Sequence, residues 1–437
     1  MHETHSCGPA YRDDADRPYA TGLAQLRTGR RVLIAGAAAS AAGVAFSASA
    51  ASAAGTSAAA SPKRAYVLVT DGCRPGEISS TLTPNLFALR AGGLHLPKAT
   101  SLPVMETIPN HVMMMTGQRP DRTGVPANTI YDRSLGAVRT MDQPDDIAVP
   151  TIIERLRARG YRTGTVLSKE YLYGVFGERA GQRWEPSPTL PITEHAPDIF
   201  TVQAAIAMLQ DYDPHLMFVN LGDIDRFGHA DLTGTTLQVA RRLALADTDL
   251  QVGRFLDAVR SAGHWENAMV IVLADHSMDW SLPLDFISLQ SGFDADDLLA
   301  GNVTIADNGG ADLCYWTGQA AKRRDAVARM ERIARATDGV LSTHRPASLR
   351  LGPNAGDLVV YCEPGRRFSD PSNTSNPIPG NHGHPATEPI PFFIGGGHPR
   401  VPTAVKRSTL THTYDVAPTV ASFFGLSTRP YEGRAHL

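Results

Sequence analysis

Aspartate and histidine recur in this 437-residue chain at three places of one kind, each just after a short apolar run. Asp71 follows AYVLVT at 65–70, Asp225 and His229 come after LMFVNL at 216–221, and Asp275-His276 follow MVIVLA at 269–274. Carboxylate oxygens and imidazole nitrogens are the donors that suit Zn²⁺, and three neighbouring strand ends would bring them together. A fourth piece, Asn381-His382-Gly383-His384, lies in a stretch rich in Gly, Pro and Asn and would close the site from the far end of the chain. Taken singly, the pieces have plainer explanations: an aspartate after a strand is commonly a turn former, and a loop histidine is commonly solvated. Asp275-His276 resists this, because two ionisable groups directly after VIVLA are costly to bury without partners. Asp225 and His229 would share a face only on a helix, and Gly228 between them predicts a loop. Asp223 is a competing oxygen donor for the same place. His264, His398 and His412 have no such setting and read as surface or capping residues.

A candidate nucleophile falls between the first two groups. Residues 102–117 read LPVMETIPNHVMMMTG, with Thr107 ahead of Pro109 and a short apolar helical run at 112–115. Threonine near a helix start with proline just inside is good capping chemistry. The same position serves catalysis, since a helix N-terminus offers free N–H groups and positive dipole charge to an anionic phosphoryl group. A threonine hydroxyl is a weak nucleophile until a base or a metal lowers its pKa. Metal held by Asp71 and Asp275-His276 would supply that activation.

The segments that must position these residues alternate in type. Runs at 65–70, 162–167, 216–221 and 269–274 are short and apolar, as buried parallel strands are. Helical patterns fill 151–159, 199–210 and about 235–262. Strands separated by helices imply crossovers, so the predicted fold class is α/β, a mostly parallel central sheet with helices on both faces. Ligands of such sheets gather outside the carboxyl ends of the strands, where the Asp and His groups fall.

The set Asp71, Thr107-Ile-Pro-Asn-His111, Asn128-Thr-Ile-Tyr-Asp132, Asp225-x-x-Gly-His229, Ala274-Asp-His-Ser-Met278 and Asn381-His-Gly383 resembles the alkaline phosphatase superfamily. Order and spacing look most like its type I phosphodiesterase/nucleotide pyrophosphatase branch, from about residue 65 to 425. The resemblance implies an alkaline-phosphatase-like core and two zinc ions, other divalent metals being alternatives. One ion would be held by Asp71, Asp275 and His276 with Thr107 Oγ, the other by Asp225, His229 and His382. Asn128 would bind a phosphate oxygen, and Thr107 would carry a phosphothreonine intermediate in the hydrolysis of a small-molecule phosphate ester or nucleotide. Asp-His-Ser replaces the commoner Asp-His-Gly. The segment after the second strand resembles phosphonoacetate hydrolase, except that this chain has Tyr171 where that relative has a second lysine. Lys169 and Tyr171, with Tyr173, are therefore candidate leaving-group contacts. A phosphomonoesterase, using Arg74 or Arg226 on the extra phosphate charge, and a phosphonate hydrolase are alternatives within the superfamily. A zinc-binding pseudoenzyme with a binding role is the alternative of another class.

Composition narrows the setting. With 41 basic and 44 acidic residues the net charge is -3, so nothing points to a nucleic-acid partner. Arg30-Arg31 precede an uncharged Ala/Gly-rich run at 32–46, too short to span a bilayer, followed by Ala-Ser-Ala repeats. Residues 1–53 therefore read as a twin-arginine-type signal peptide and leader, implying the twin-arginine export machinery as a partner and a secreted or extracytoplasmic protein. An uncleaved membrane anchor is the alternative. Residues 54–437 are expected to form a single catalytic domain. In an oxidising compartment Cys314 and Cys362 are candidates for a disulfide, subject to the distance between them.

Overall fold

The computed structural model of the protein describes residues 62–187, 195–282, 285–372, 375 and 378–437. The expected leader at 1–53 lies outside the described residues. At the centre is an eight-stranded sheet. Its inner strands are β1 (Arg64–Thr70), β2 (Thr163–Val166), β3 (Leu216–Leu221) and β4 (Ala268–Leu273), which run parallel in the spatial order β4-β1-β3-β2. Every residue of these four strands is buried, and β1, β3 and β4 read as largely apolar runs, whereas β2 (TGTV) does not. Each fully buried large aliphatic side chain in these strands contributes about 1.5–3 kcal/mol. Phe392–Gly395 adds antiparallel to β4, and Leu94–His95, Val405–Lys406 and Gln182–Trp184 complete the edges. The sheet is thus mostly parallel, as expected.

Helices join the strands: α1 (Thr107–Thr116), α2 (Asp198–Asp211), α3 (Asp223–Ala230) and α4 (Val239–Ser261). Helix α3 corrects the expectation of a loop at Gly228. A Cβ at Gly228 would lie 2.9 Å from Arg241 Nη1 and 3.3 Å from Met278 Cε, and its carbonyl accepts from Trp280 Nε1 at 2.9 Å. Glycine serves close packing here, and Asp225 and His229 consequently share a helix face one turn apart.

A second hydrophobic cluster was not anticipated. Strands β5 (Val303–Asn308), β6 (Ala311–Trp316), β7 (Val340–His344) and β8 (Leu358–Cys362) form an antiparallel sheet in the order β5-β6-β8-β7. Leu313 and Tyr315 of β6 join the main core, whereas Cys314 and Trp316 face a smaller core with Phe293, Met330 and Phe368. The two-residue turn Gly309-Gly310, between VTIADN and ADLCYW, was a readable signal for this pair of strands. Cys314 and Cys362 are free, and the disulfide is excluded. Register sets Cys314 opposite Leu358, four residues from Cys362, a separation of about 13 Å along the strand, well beyond bridging distance.

Candidate active site

The carboxyl ends of β1, β3 and β4 deliver Asp71, helix α3 and Asp275-His276 to one place, because these strands are neighbours in the sheet. His276 Nε2 lies 3.7 Å from Asp71 Oδ1, 3.5 Å from Asp275 Oδ2 and 3.2 Å from Thr107 Oγ. His229 Nε2 and His382 Nε2 lie 3.3 and 3.9 Å from Asp225 Oδ1. The His276 and His382 rings stack with centroids 3.7 Å apart, so the two groups are adjacent.

The donor set fits metal ions. Asp71 Oδ1, Asp225 Oδ1 and Asp275 Oδ2 are buried without a hydrogen-bond donor. Such orphaned carboxylate oxygens are costly unless a cation meets them. Each of the three histidines has Nδ1 against a backbone carbonyl: His276 on Ser277 at 2.9 Å, His229 on Gly380 at 2.8 Å and His382 on Met105 at 3.1 Å. That contact fixes the tautomer and leaves each Nε2 lone pair for a metal. Burial drives His276 down to about 4, and burial with the neighbouring His276 and His229 drives His382 well below its ordinary value. Both rings are therefore neutral at neutral pH, the form that ligates. Burial and the neighbouring Asp275 push Asp71 upward, the expected response of crowded buried carboxylates, and the Lys169 ammonium beside it opposes the shift without cancelling it.

His111 also approaches Asp71 and Asp275. Its Nδ1 takes the Thr107 carbonyl at 2.8 Å and its Nε2 meets Asn220 Nδ2 at 3.2 Å, so both ring nitrogens are engaged in holding the site. Asn220 Nδ2 donates in turn to Asp71 Oδ2 at 2.9 Å. Asp223, the competing donor, points elsewhere and pairs with His195 Nε2 at 2.7 Å. His111 and Asn220 were missed in the sequence; the one lay inside the Thr107 motif and the other inside a strand, where no spacing rule marks them.

Thr107 opens α1 behind the N-cap Glu106. Asn128 Oδ1 accepts the Ile108 N–H at 2.8 Å, and the Asn128 N–H donates to Glu106 Oε2 at 2.7 Å. These bonds use the oxygen of the Asn128 amide and leave its Nδ2 as the end available to an anion. A pocket of about 340 Å³ opens here, lined among others by Glu106, Thr107, Asn128, Tyr171, Asp225, Arg226, His229, Asp307, Asp370 and His382. Arg226 stands with its guanidinium carbon 5.5 Å from the Tyr171 ring centroid. Arg74 is turned away, donating to the Met278 carbonyl at 2.6 Å and stacking on Trp280. Tyr173 donates to the Pro186 carbonyl at 2.7 Å. Lys169 is fully buried outside the pocket wall, with Nζ 2.8 Å from Asp71 Oδ2 and 2.6 Å from Asp225 Oδ2.

A mostly parallel sheet carries Asp and His groups at three adjacent strand ends, a threonine at a helix start and a histidine closing from a late loop, the arrangement that the resemblance to the alkaline phosphatase superfamily implies. The chain belongs to the type I phosphodiesterase/nucleotide pyrophosphatase family, whose pattern matches residues 65–385. Human ectonucleotide pyrophosphatase/phosphodiesterase family member 5 is 23% identical over 238 residues, covering 52% of this chain and 47% of that protein. The chain thus spans about half the length of this curated relative. Murine ectonucleotide pyrophosphatase/phosphodiesterase 5 superposes with a TM-score of 0.70 at 17% identity, over 85% of this chain and 97% of the other. Phosphonoacetate hydrolase from Sinorhizobium meliloti gives a TM-score of 0.63 at 20% identity, over 83% and 94% of the two chains.

Proposed function

We propose that this protein is an exported two-zinc phosphodiesterase that hydrolyses small phosphate diesters or nucleotides through a phosphothreonine at Thr107. The observation that carries this reading is the Thr107 hydroxyl at a helix start, 3.2 Å from His276 Nε2 and beside the orphaned carboxylate oxygens. Asp71, Asp275, His276 and Thr107 would hold one ion and Asp225, His229 and His382 the other. When bound, such a pair lowers the pKa of the attacking hydroxyl and offsets charge on the attacking and leaving oxygens.

The chain's own groups do the positioning. A non-bridging phosphate oxygen is met by Asn128 Nδ2 and by the Thr107 N–H at the start of α1, since the Ile108 N–H is taken by Asn128 Oδ1 and Pro109 has none. Thr107 Oγ forms a bond to phosphorus as the bond to the leaving oxygen breaks, releasing an alcohol or nucleotide. Water then attacks the phosphothreonine and restores the hydroxyl, so two inversions give net retention at phosphorus. The uncharged Asn128 amide as phosphate contact supports a diester, whose transferred group carries one charge fewer than that of a monoester. Tyr171 offers an aromatic face to a base, and the murine neighbour has been solved, in inactive form, with AMP. Arg226 in the pocket keeps a monoesterase as the second reading.

The test compares aryl phosphodiester and monoester hydrolysis by the mature protein, by Thr107→Ala and by chelator-treated protein, with metal content measured directly. Unchanged hydrolysis in Thr107→Ala or after metal removal would sink the mechanism. Higher kcat/KM on the monoester would overturn the diester preference alone. Among the described residues no helix is long and apolar enough to cross a membrane. Export rests on the Arg30-Arg31 leader and is tested by sequencing the N-terminus of secreted protein, which should lie beyond residue 50.

A further inference from the structure

Each of the three buried aspartates follows one pattern: one carboxylate oxygen is secured by a protein donor and the other is bare. Asp275 Oδ1 accepts the N–H groups of Gly72 and His276 at 3.1 and 3.0 Å, leaving Oδ2 bare. Asp71 Oδ2 meets Lys169 Nζ at 2.8 Å and Asn220 Nδ2 at 2.9 Å, leaving Oδ1 bare. Asp225 Oδ2 meets Lys169 Nζ at 2.6 Å, leaving Oδ1 bare. A single ammonium therefore secures one carboxylate from each of the two ligand groups. Lys169 reaches them from the end of β2, two strands away from β1, and passes Gly222, where a Cβ would stand 2.7 Å from Ser168 Oγ and 3.5 Å from Lys169 Cε.

We infer that Lys169 is a positioning residue that serves both metal sites: an internal counter-cation that holds the metal-free carboxylates together and turns Asp71 Oδ1 and Asp225 Oδ1 toward the ions. Ligand carboxylates held through their second oxygen keep a fixed aim, and loss of such support commonly weakens metal binding 10- to 100-fold. Without the ammonium, three carboxylates would be buried together with no internal cation in contact. This role differs from a contact to the leaving group, because Lys169 is fully buried and absent from the pocket wall. The inference rests on the two-metal reading only for its second half; the counter-cation role concerns the metal-free protein and stands by itself.

The experiment uses the full-length mature protein and the variants Lys169→Met and Lys169→Arg, each melted after chelation and after loading with Zn²⁺, with bound metal titrated. Chelated Lys169→Met is expected to melt roughly 10 °C below chelated wild type, or to fold only in zinc-supplemented medium, and loading is expected to recover part of the difference. Zinc affinity is expected to fall about 10- to 100-fold. The loss should be greater for the ion on Asp225, since Asp71 keeps Asn220. Lys169→Arg is expected to retain most of the metal-free stability. If Lys169→Met does not accumulate even with zinc, Lys169→Gln, which keeps a donor for one carboxylate, replaces it in the comparison. The inference is overturned if a neutral variant melts as wild type when chelated and binds zinc with unchanged affinity. A defect confined to KM for substrates with anionic leaving groups overturns it too and makes Lys169 a substrate contact. Failure of wild type to bind metal would strike the proposed function and leave the melting comparison of chelated proteins intact.

Discussion

In the proposed mechanism Asn128 would connect the nucleophile to the phosphate site through one amide. Its oxygen is committed to Ile108 N–H, so its nitrogen has a single orientation and would need no reorganisation to meet charge on the non-bridging oxygens. Asn128→Ala is expected to lower kcat by about 10²–10³-fold with bound metal near wild type, as steady-state kinetics and metal analysis would show; a change in KM alone would contradict the role. The aspartates and histidines around Thr107 were legible in the sequence because strand ends converge in an α/β sheet. Lys169, Asn220 and His111 act through their partners, and those partners are set by which strands are neighbours, a fact that local spacing does not carry. Arg241 is a further case. Fully buried, it donates to the Gly72 carbonyl at 2.7 Å and the Ile224 carbonyl at 3.1 Å while paired with Glu77 at 2.7 Å, tying the residues next to Asp71 and Asp225 together. Arg241→Met should destabilise the protein by about 3–5 kcal/mol in denaturant titration, the usual result of breaking a buried pair.

The main strands and the long helix α4 were readable as elements because burial on both faces and helical periodicity each leave a plain pattern. The small antiparallel sheet was marked only by its hairpin turn, since β6 and β8 alternate between two cores and β7 buries only one residue, so none of the three shows a plain pattern. That sheet carries an unusual pair: Asp307 and Asp312 stand directly opposite each other on β5 and β6. Asp312 is fully buried with no hydrogen-bond donor on either oxygen. Burial raises Asp307 to about 7, and burial with Asp370 and Asp307 raises Asp312 well above the carboxylate range. Raised acids bind protons in the folded state that the unfolded chain has released. Their penalty is absent below about pH 4, the unfolded carboxyl pKa, and grows as pH rises toward 7 and beyond. Asp312→Asn is therefore expected to stabilise the protein by about 1–3 kcal/mol at pH 8, with the gain vanishing near pH 4. Equal effects at both pH values in chemical denaturation would contradict this.

At the scale of the molecule, the proposed metal sites would link metal binding to stability. Two ions bound only by the folded chain should raise its melting temperature with free metal concentration, by about 2.7 kcal/mol per site at 100 times Kd, or roughly 5–10 °C. Calorimetry across a zinc-buffer series checks this, and a melting temperature independent of zinc would speak against both sites. The order of the ligands along the chain adds a matter of timing. Asp71 emerges early in synthesis, whereas His382 and the strand Phe392–Gly395 beside β4 come more than three hundred residues later. At about 5–20 residues per second, a nascent chain carries its first ligand for roughly 15–60 s before the last one exists. Complete coordination in the proposed site would thus have to await His382, and a ribosome-bound chain or one truncated before it would have no closed site in which to retain the second ion.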